Sequence, residues 1–218
     1  MSDGHNVIAI DGPAASGKSS VAQNLARRLG YAYVNTGAMY RAITWRVVSM
    51  NVPSDDAIAV LDLLERSNIE IALENGKSVI RIDGTDPEPY LRDQSINQNV
   101  SPVSGIPGVR DFLLPLLRDF ANHSDLVMEG RDIGSTVFPD TPYKFYIDAS
   151  PEVRRMRRQV QGQADEISNR DKADSTRRAS PLVIADDAQV IDSSHLTIDG
   201  VVGEIIGRLK LKGLSVES

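Results

Sequence analysis

Gly12-Pro13-Ala14-Ala15-Ser16-Gly17-Lys18-Ser19 follows a short apolar run, Val7 to Ile10, and precedes Val21, Leu25, Ala26 and Leu29, which recur at helical spacing up to Gly30. Strand, glycine-bounded loop and helix in that order give the pattern G-x-x-x-x-G-K-[ST] its meaning. The two glycines let the chain wrap so that successive N–H groups point inward, and the helix dipole favours an anion at the same point. Lys18 adds a point charge for the outer phosphates, and Ser19 a hydroxyl for Mg²⁺. These eight residues, with Ser20 beside them, are the candidate phosphate-binding loop.

Working outward, Tyr31 to Val34 reads as a second strand, and Thr36 can cap a helix carrying Met39, Ile43, Val47 and Met50. Pro53-Ser54-Asp55 starts another helix with Ile58, Leu61 and Leu64 on one face. Between 69 and 90 the period falls to two, with Ile69, Ile71 and Leu73 alternating before an Asn75-Gly76 turn and a return strand at Val79 to Ile82. A helix over 106–121, strands at Leu126 to Met128 and Lys144 to Ile147, a helical arginine-rich segment, a strand at Gln189 to Ile191 and a helix from Ile198 to Leu209 complete the chain. Residues 212–218 are expected to fray. The alternation predicts an α/β core with a mostly parallel sheet and helices on both faces. The antiparallel segment within 52–100 is an appendage on it.

The 218 residues hold 24 basic and 30 acidic side chains, no cysteine and three histidines. One domain with a smaller appendage fits that length. Without cysteine, a disulfide scaffold, a thiol nucleophile and a thiolate metal site are excluded. Apolar runs fall far short of the roughly 18 residues that span a bilayer, and no basic-then-apolar leader precedes them, so a cytoplasmic, non-membrane protein is expected. Charge is uneven. Residues 153–178 contain eight basic and four acidic side chains, which leaves 16 basic against 26 acidic elsewhere. One cationic island on an acidic protein argues against nucleic-acid binding by the whole surface, and on charge alone it fits a site for a compact anion and a solvated arginine-rich helix face equally well.

No N-K-x-D or D-x-x-G motif of a guanine-nucleotide switch is present, and Leu126-Val127-Met128 leads into Glu129 rather than a Walker-type Asp. A small-molecule kinase remains. Its second substrate is marked by Thr36-Gly37-Ala38-Met39-Tyr40-Arg41, by Ser101 with Arg110, by Glu129-Gly130-Arg131-Asp132-Ile133-Gly134, and by Arg170 to Leu182. Arg170, Asp174 and Arg177 share one helix face, as do Arg154, Arg157 and Arg158; three like charges there require an anion or acids nearby.

The set GPAASGKSS, TGAMYR, EGRDIG and RDKADSTRRASPL, in this order and spacing, resembles the bacterial-type cytidylate kinases over nearly the whole chain. The resemblance implies a phosphate-loop three-layer fold with a five-stranded parallel sheet. It implies a CORE domain at 1–51 and 101–218, an arginine-rich lid at about 154–170 within it, and a nucleoside-monophosphate-binding insertion at 52–100. The implied reaction moves the γ-phosphoryl of Mg-ATP to CMP or dCMP. Lys18, Arg131, Arg157, Arg158 and Arg177 would be catalytic, and Ser19 would hold Mg²⁺. Thr36, Tyr40, Arg41, Ser101, Arg110, Gly130, Arg131, Asp132, Arg170, Asp174 and Arg177 would bind CMP, and the loop after Ala185 would lie near adenine. A monomer is expected. Two departures stand out: Asn35 replaces a common Asp, and Ala15 a common Gly.

The chemistry suits these residues. The attacking atom is a phosphate oxygen, largely ionised near neutral pH because its second pKa is about 6, so no general base is required. Cytosine offers an N4 amino donor with N3 and O2 acceptors, whereas uracil presents a carbonyl at position 4. Asp132 can accept from the amino group and Arg110 can donate to N3 or O2, a pair that selects cytosine. Competing readings are another phosphate-loop kinase acting on a different nucleotide or a small hydroxylated metabolite, a non-enzymatic ATP-binding regulator, and a nucleic-acid-binding module.

Overall fold

A computed structural model of the protein describes residues 4–160, 167–177 and 179–216, with the backbone alone for 167–170. Among these, seven strands follow in chain order: β1 (Val7–Asp11), β2 (Ala32–Asn35), β3 (Ile69–Glu74), β4 (Lys77–Ile82), β5 (Leu126–Gly130), β6 (Tyr143–Asp148) and β7 (Gln189–Asp192). The α-helices are α1 (Lys18–Leu29), α2 (Thr36–Ser49), α3 (Ala57–Arg66), α4 (Gln94–Gly105), α5 (Pro107–Asp119), α6 (Pro151–Val160), α7 (Ile167–Thr176) and α8 (Ile198–Leu211). The strands form one sheet in the order β3-β4-β2-β5-β1-β6-β7, parallel except for the β3–β4 hairpin.

β1 and β5 are buried along their whole length, as an apolar run covered on both faces must be. On one side of the sheet Met39, Ile43 and Val47 of α2 pack with Val109, Leu113 and Leu117 of α5. On the other, Val21 and Leu25 of α1 meet Val202, Ile205 and Leu209 of α8. The expected helix–sheet–helix layering is present, but the sheet has seven strands rather than five. The hairpin does not stand apart: β4 joins β2 through the Tyr33–Lys77 pair, and the Tyr33 N–H donates to the Gly76 carbonyl at 2.8 Å.

Local departures have local causes. Asn35, not Thr36, caps α2: its side chain accepts from the Ala38 N–H at 3.0 Å, while the Thr36 hydroxyl donates to the Glu129 carbonyl at 2.9 Å. α3 starts later than expected, because the Asp56 side chain accepts from the Ala59 N–H. That register turns Val60 and Leu64 inward and leaves Ile58 84% exposed. α4, polar and interrupted by Pro102, was not foreseen; it buries Ile96, Val100 and Val103. The expected insertion boundary near 100 falls inside it. The arginine-rich segment is helical as α6 and α7, with 161–166 and Arg178 outside the described residues. Leu214 is held back into the core rather than frayed, its N–H donating to the Leu209 carbonyl at 3.0 Å.

Register fixes the site. Asp11 lies opposite Gly130, and Asn35 opposite Glu129, so the loops after β1, β2 and β5 leave the sheet at one edge, where open α/β sheets hold their ligands. Gly12, at φ 154°, passes so close to β6 that a Cβ there would lie 2.1 Å from the Ile147 carbonyl oxygen. Gly12→Ala is therefore expected to destabilise the protein by roughly 3 kcal/mol, through backbone strain and overlap together. Urea unfolding checks this; a loss under about 0.5 kcal/mol, the range of an ordinary surface change, would contradict it.

Candidate active site

The phosphate loop hangs between β1 and α1. Gly17, at φ 92°, opens α1 without a side-chain cap, which leaves the first-turn N–H groups for a ligand. Ala15 adopts φ 59°, a left-handed conformation that costs a non-glycine residue roughly 1–2 kcal/mol. Its substitution for glycine is thus accommodated at a cost. Lys18 is buried, and its Nζ donates to the Pro13 carbonyl at 3.0 Å, closing across the loop. Ser19 and Ser20 are exposed at the mouth.

A cavity of about 550 Å³ runs from this loop toward the hairpin, and Lys18, Ser19, Arg41, Arg131, Arg158 and Glu129 line it. Arg41 donates to the carbonyl of Leu91, which also lines the cavity, at 2.8 Å. Tyr33 donates its hydroxyl to Glu129 at 3.2 Å; burial, and then the Glu129 charge, push the phenol above its usual range. A second cavity of about 520 Å³ lies on the outer side of the loop, lined by Gly17, Met156, Arg157, Ser193, Leu196 and Ile198. Arg157 is turned to the loop itself, donating to the Ser16 carbonyl at 2.9 Å and to the Ser193 carbonyl at 2.8 Å.

Arg131, which lines the first cavity, connects to a buried ionic cluster of Arg110, Asp132, Asp174 and Arg177. Arg110 and Asp132 are hydrogen-bonded, with side chains 7% and 5% exposed. Arg177 lies 3.5 Å from Asp132 and 3.8 Å from Asp174, and Arg131 Nε donates to Asp174 at 2.9 Å. The Arg110 guanidinium stands 5.1 Å from the Tyr40 ring centroid, a cation–π contact. Burial and the neighbouring Arg110 charge lower the Arg177 pKa. Among the described residues, Arg110 Nε is a buried donor without a hydrogen-bond partner, and Arg177 Nη2, also buried, reaches Asp132 Oδ1 only at 3.5 Å, as an ion-pair contact rather than a hydrogen bond. Such groups are rare in folded proteins, and each calls for an acceptor.

Gly130, the last residue of β5, allows a close approach: a Cβ there would lie 2.6 Å from Ile133 Cδ1 and 2.7 Å from Thr36 Oγ1. Ser101 sits on α4, which packs against α2 and α7. Arg170 is on α7, but its side chain lies outside the described residues.

Sequence reasoning missed Asp11. Its two carboxylate oxygens accept from the Ile133 and Gly134 N–H groups, each at 2.8 Å, tying the start of the phosphate loop to the turn that carries Asp132. Burial raises its pKa to about 7 against the opposing pull of those two amides. The available signal was an acid closing an otherwise apolar buried strand, one residue before Gly12. Asp171 was also passed over as a site residue; Arg154 was expected only to need an anion or an acid nearby, and Asp171 is that acid, but nothing in their spacing placed the pair on the loop.

The family model for cytidylate kinase matches residues 8–211. A cytidylate kinase of Caldicellulosiruptor saccharolyticus is 39% identical over 210 residues, covering 91% of this chain and 93% of the relative. One from Desulforamulus reducens is 42% identical over 213 residues, covering 93% and 96%. In fold, the chain is similar to a gluconokinase from Sinorhizobium meliloti 1021, with a TM-score of 0.51 and 12% identity over 95% of this chain and 93% of that one. A phosphate loop, a buried arginine–aspartate cluster beside it and these full-length similarities lead to one conclusion: the chain belongs to the cytidylate kinase family.

Proposed function

We propose that the protein transfers the γ-phosphoryl group of Mg-ATP to CMP or dCMP, giving ADP and CDP or dCDP. The observation that carries this reading is the buried cluster of Arg110, Asp132, Asp174 and Arg177, in which Arg110 Nε has no hydrogen-bond partner and which Asp11 ties, through the Ile133 and Gly134 amides, to the start of the phosphate loop. The loop amides and Lys18 hold the ATP phosphates, and adenine lies in the outer cavity under Arg157. Arg41 and Arg131 grip the CMP phosphate, which stands in for the carboxylate of Asp174 as partner of Arg131. Arg158 and Arg177 add positive charge around the transferring group.

Ser19 and Glu129 line the same cavity, an oxygen-donor pair suited to Mg²⁺ carried in on ATP. When bound, Mg²⁺ neutralises charge on the phosphate chain. The protein's own task is electrostatic: to bring two anions into line, to stabilise charge as it spreads over the equatorial oxygens, and to keep water away. Residues 52–100 serve as the monophosphate-binding insertion, and about 154–170 as the lid that covers ATP. The protein works as a cytoplasmic monomer.

An ADP-release assay with CMP, dCMP, UMP, AMP and shikimate as acceptors tests the reading. CMP and dCMP are expected to turn over at least tenfold better, in kcat/KM, than the others; turnover centred on shikimate or AMP, or none at all, would overturn it.

Asp132 sets base choice by accepting from the cytosine amino group, with Arg110 donating to N3 or O2. Uracil would turn a carbonyl toward the carboxylate and leave Arg110 poorly matched. Asp132→Asn, whose amide can face either base, is expected to cut the CMP/UMP ratio of kcat/KM by roughly 10²-fold or more. A ratio equal to that of the wild type would remove Asp132 from recognition.

A further inference from the structure

α7 meets both halves of the site. Asp174 faces Arg131 and Arg177, whereas Asp171, three residues earlier and about 60° around the helix, faces the phosphate loop. Asp171 Oδ1 accepts from the Ala14 N–H at 3.1 Å, and its Oδ2 pairs with Arg154 of α6. Arg154 in turn donates to the Ala14 carbonyl at 3.2 Å and to the Ala149 carbonyl, just past β6, at 3.1 Å. One ion pair therefore holds both backbone polar groups of Ala14. The pair is largely shielded, its side chains 12% and 19% exposed, and Ala14 itself is buried.

This arrangement answers a requirement of the loop. N–H groups that turn inward to cradle an anion force carbonyls outward, and outward carbonyls need donors of their own. Arg154 and Arg157, one helical turn apart on α6, supply them to Ala14 and Ser16. The acid that relieves Arg154 is Asp171, so this arginine is already neutralised before any phosphate arrives.

We propose that Arg154 and Asp171 are positioning residues that clamp Ala14 and so set the loop's grip on the ATP phosphates. The inference rests on the phosphoryl-transfer reading only in taking the loop as the ATP site. Because the pair ties the base of α6 and the body of α7 to one loop residue, its loss loosens the loop's shape first. The CMP side, held by Arg41, Arg131 and Asp132, is left in place.

Calorimetric titration of ADP and of CMP into the full-length protein tests the clamp. Asp171→Asn keeps an oxygen for the Ala14 N–H but discards the charge facing Arg154; Arg154→Gln discards the guanidinium. Each is expected to raise the Kd for ADP about tenfold, equivalent to about 1.4 kcal/mol, while the Kd for CMP stays within about twofold. The double variant is expected to weaken ADP binding no further than either single one, because the two act as a unit. Equal weakening of ADP and CMP, or single effects that multiply in the double variant, would overturn the proposal. If Asp171→Asn does not fold, as judged by its thermal midpoint, Arg154→Lys carries the same ADP-against-CMP comparison, since it keeps the charge and loses the fork. Turnover of CMP by the wild type is measured separately, so failure of the proposed function and failure of the clamp give different results.

Discussion

Arg110 and Asp132 are paired inside the protein, and Arg177 with Asp174 lies beside them almost as dry. Removing such charges from water costs several kcal/mol each, and their mutual attraction repays it only if hydrogen bonding is nearly complete. Here it is incomplete, since among the described residues Arg110 Nε has no hydrogen-bond partner and Arg177 Nη2 meets Asp132 only at 3.5 Å. A cluster of this kind is poor value for stability alone. Under the proposed function it becomes intelligible as a receptor in which aspartates orient guanidiniums for a substrate that brings further negative charge and base acceptors.

The rest of the architecture serves that receptor and the phosphate loop. Parallel register across β2, β5 and β1 brings three loops to one edge of the sheet. Glycines stand where a side chain would strike the backbone of β6 or the Thr36 hydroxyl. Asp11 joins the two halves by spending both carboxylate oxygens on amides of the Asp132 turn, despite a burial that pushes its pKa to about 7. Arg154 and Arg157 of α6 bond the carbonyls of Ala14 and Ser16, so part of the cationic island shapes the loop itself.

Much of this was legible in the sequence. The apolar run before Gly12, the helical spacing after Gly17 and the period change at residue 69 are local signals, and the elements they predict are present. Thr36 was the wrong cap because both Asn35 and Thr36 can cap a helix; the choice is made by the Glu129 carbonyl, 93 residues away, which takes the Thr36 hydroxyl. α4 escaped because its apolar residues are few and Pro102 interrupts them, so packing against α2 rather than propensity holds it. Arg110, Asp132, Asp174 and Arg177 were recognisable as a set through their motifs. Their mutual distances were not, since they come from three separate segments.

If the buried cluster is a receptor for phosphate as well as base, then the phosphate supplies most of the affinity for the acceptor, and Arg131 is its main anchor. The direct measurement is the affinity of CMP against that of cytidine, in the wild type and in Arg131→Met. The wild type is expected to bind CMP about 10²-fold tighter than cytidine or better, and the variant to close most of this gap while its cytidine affinity changes little. Equal affinities for CMP and cytidine in the wild type, or an undiminished gap in the variant, would contradict it.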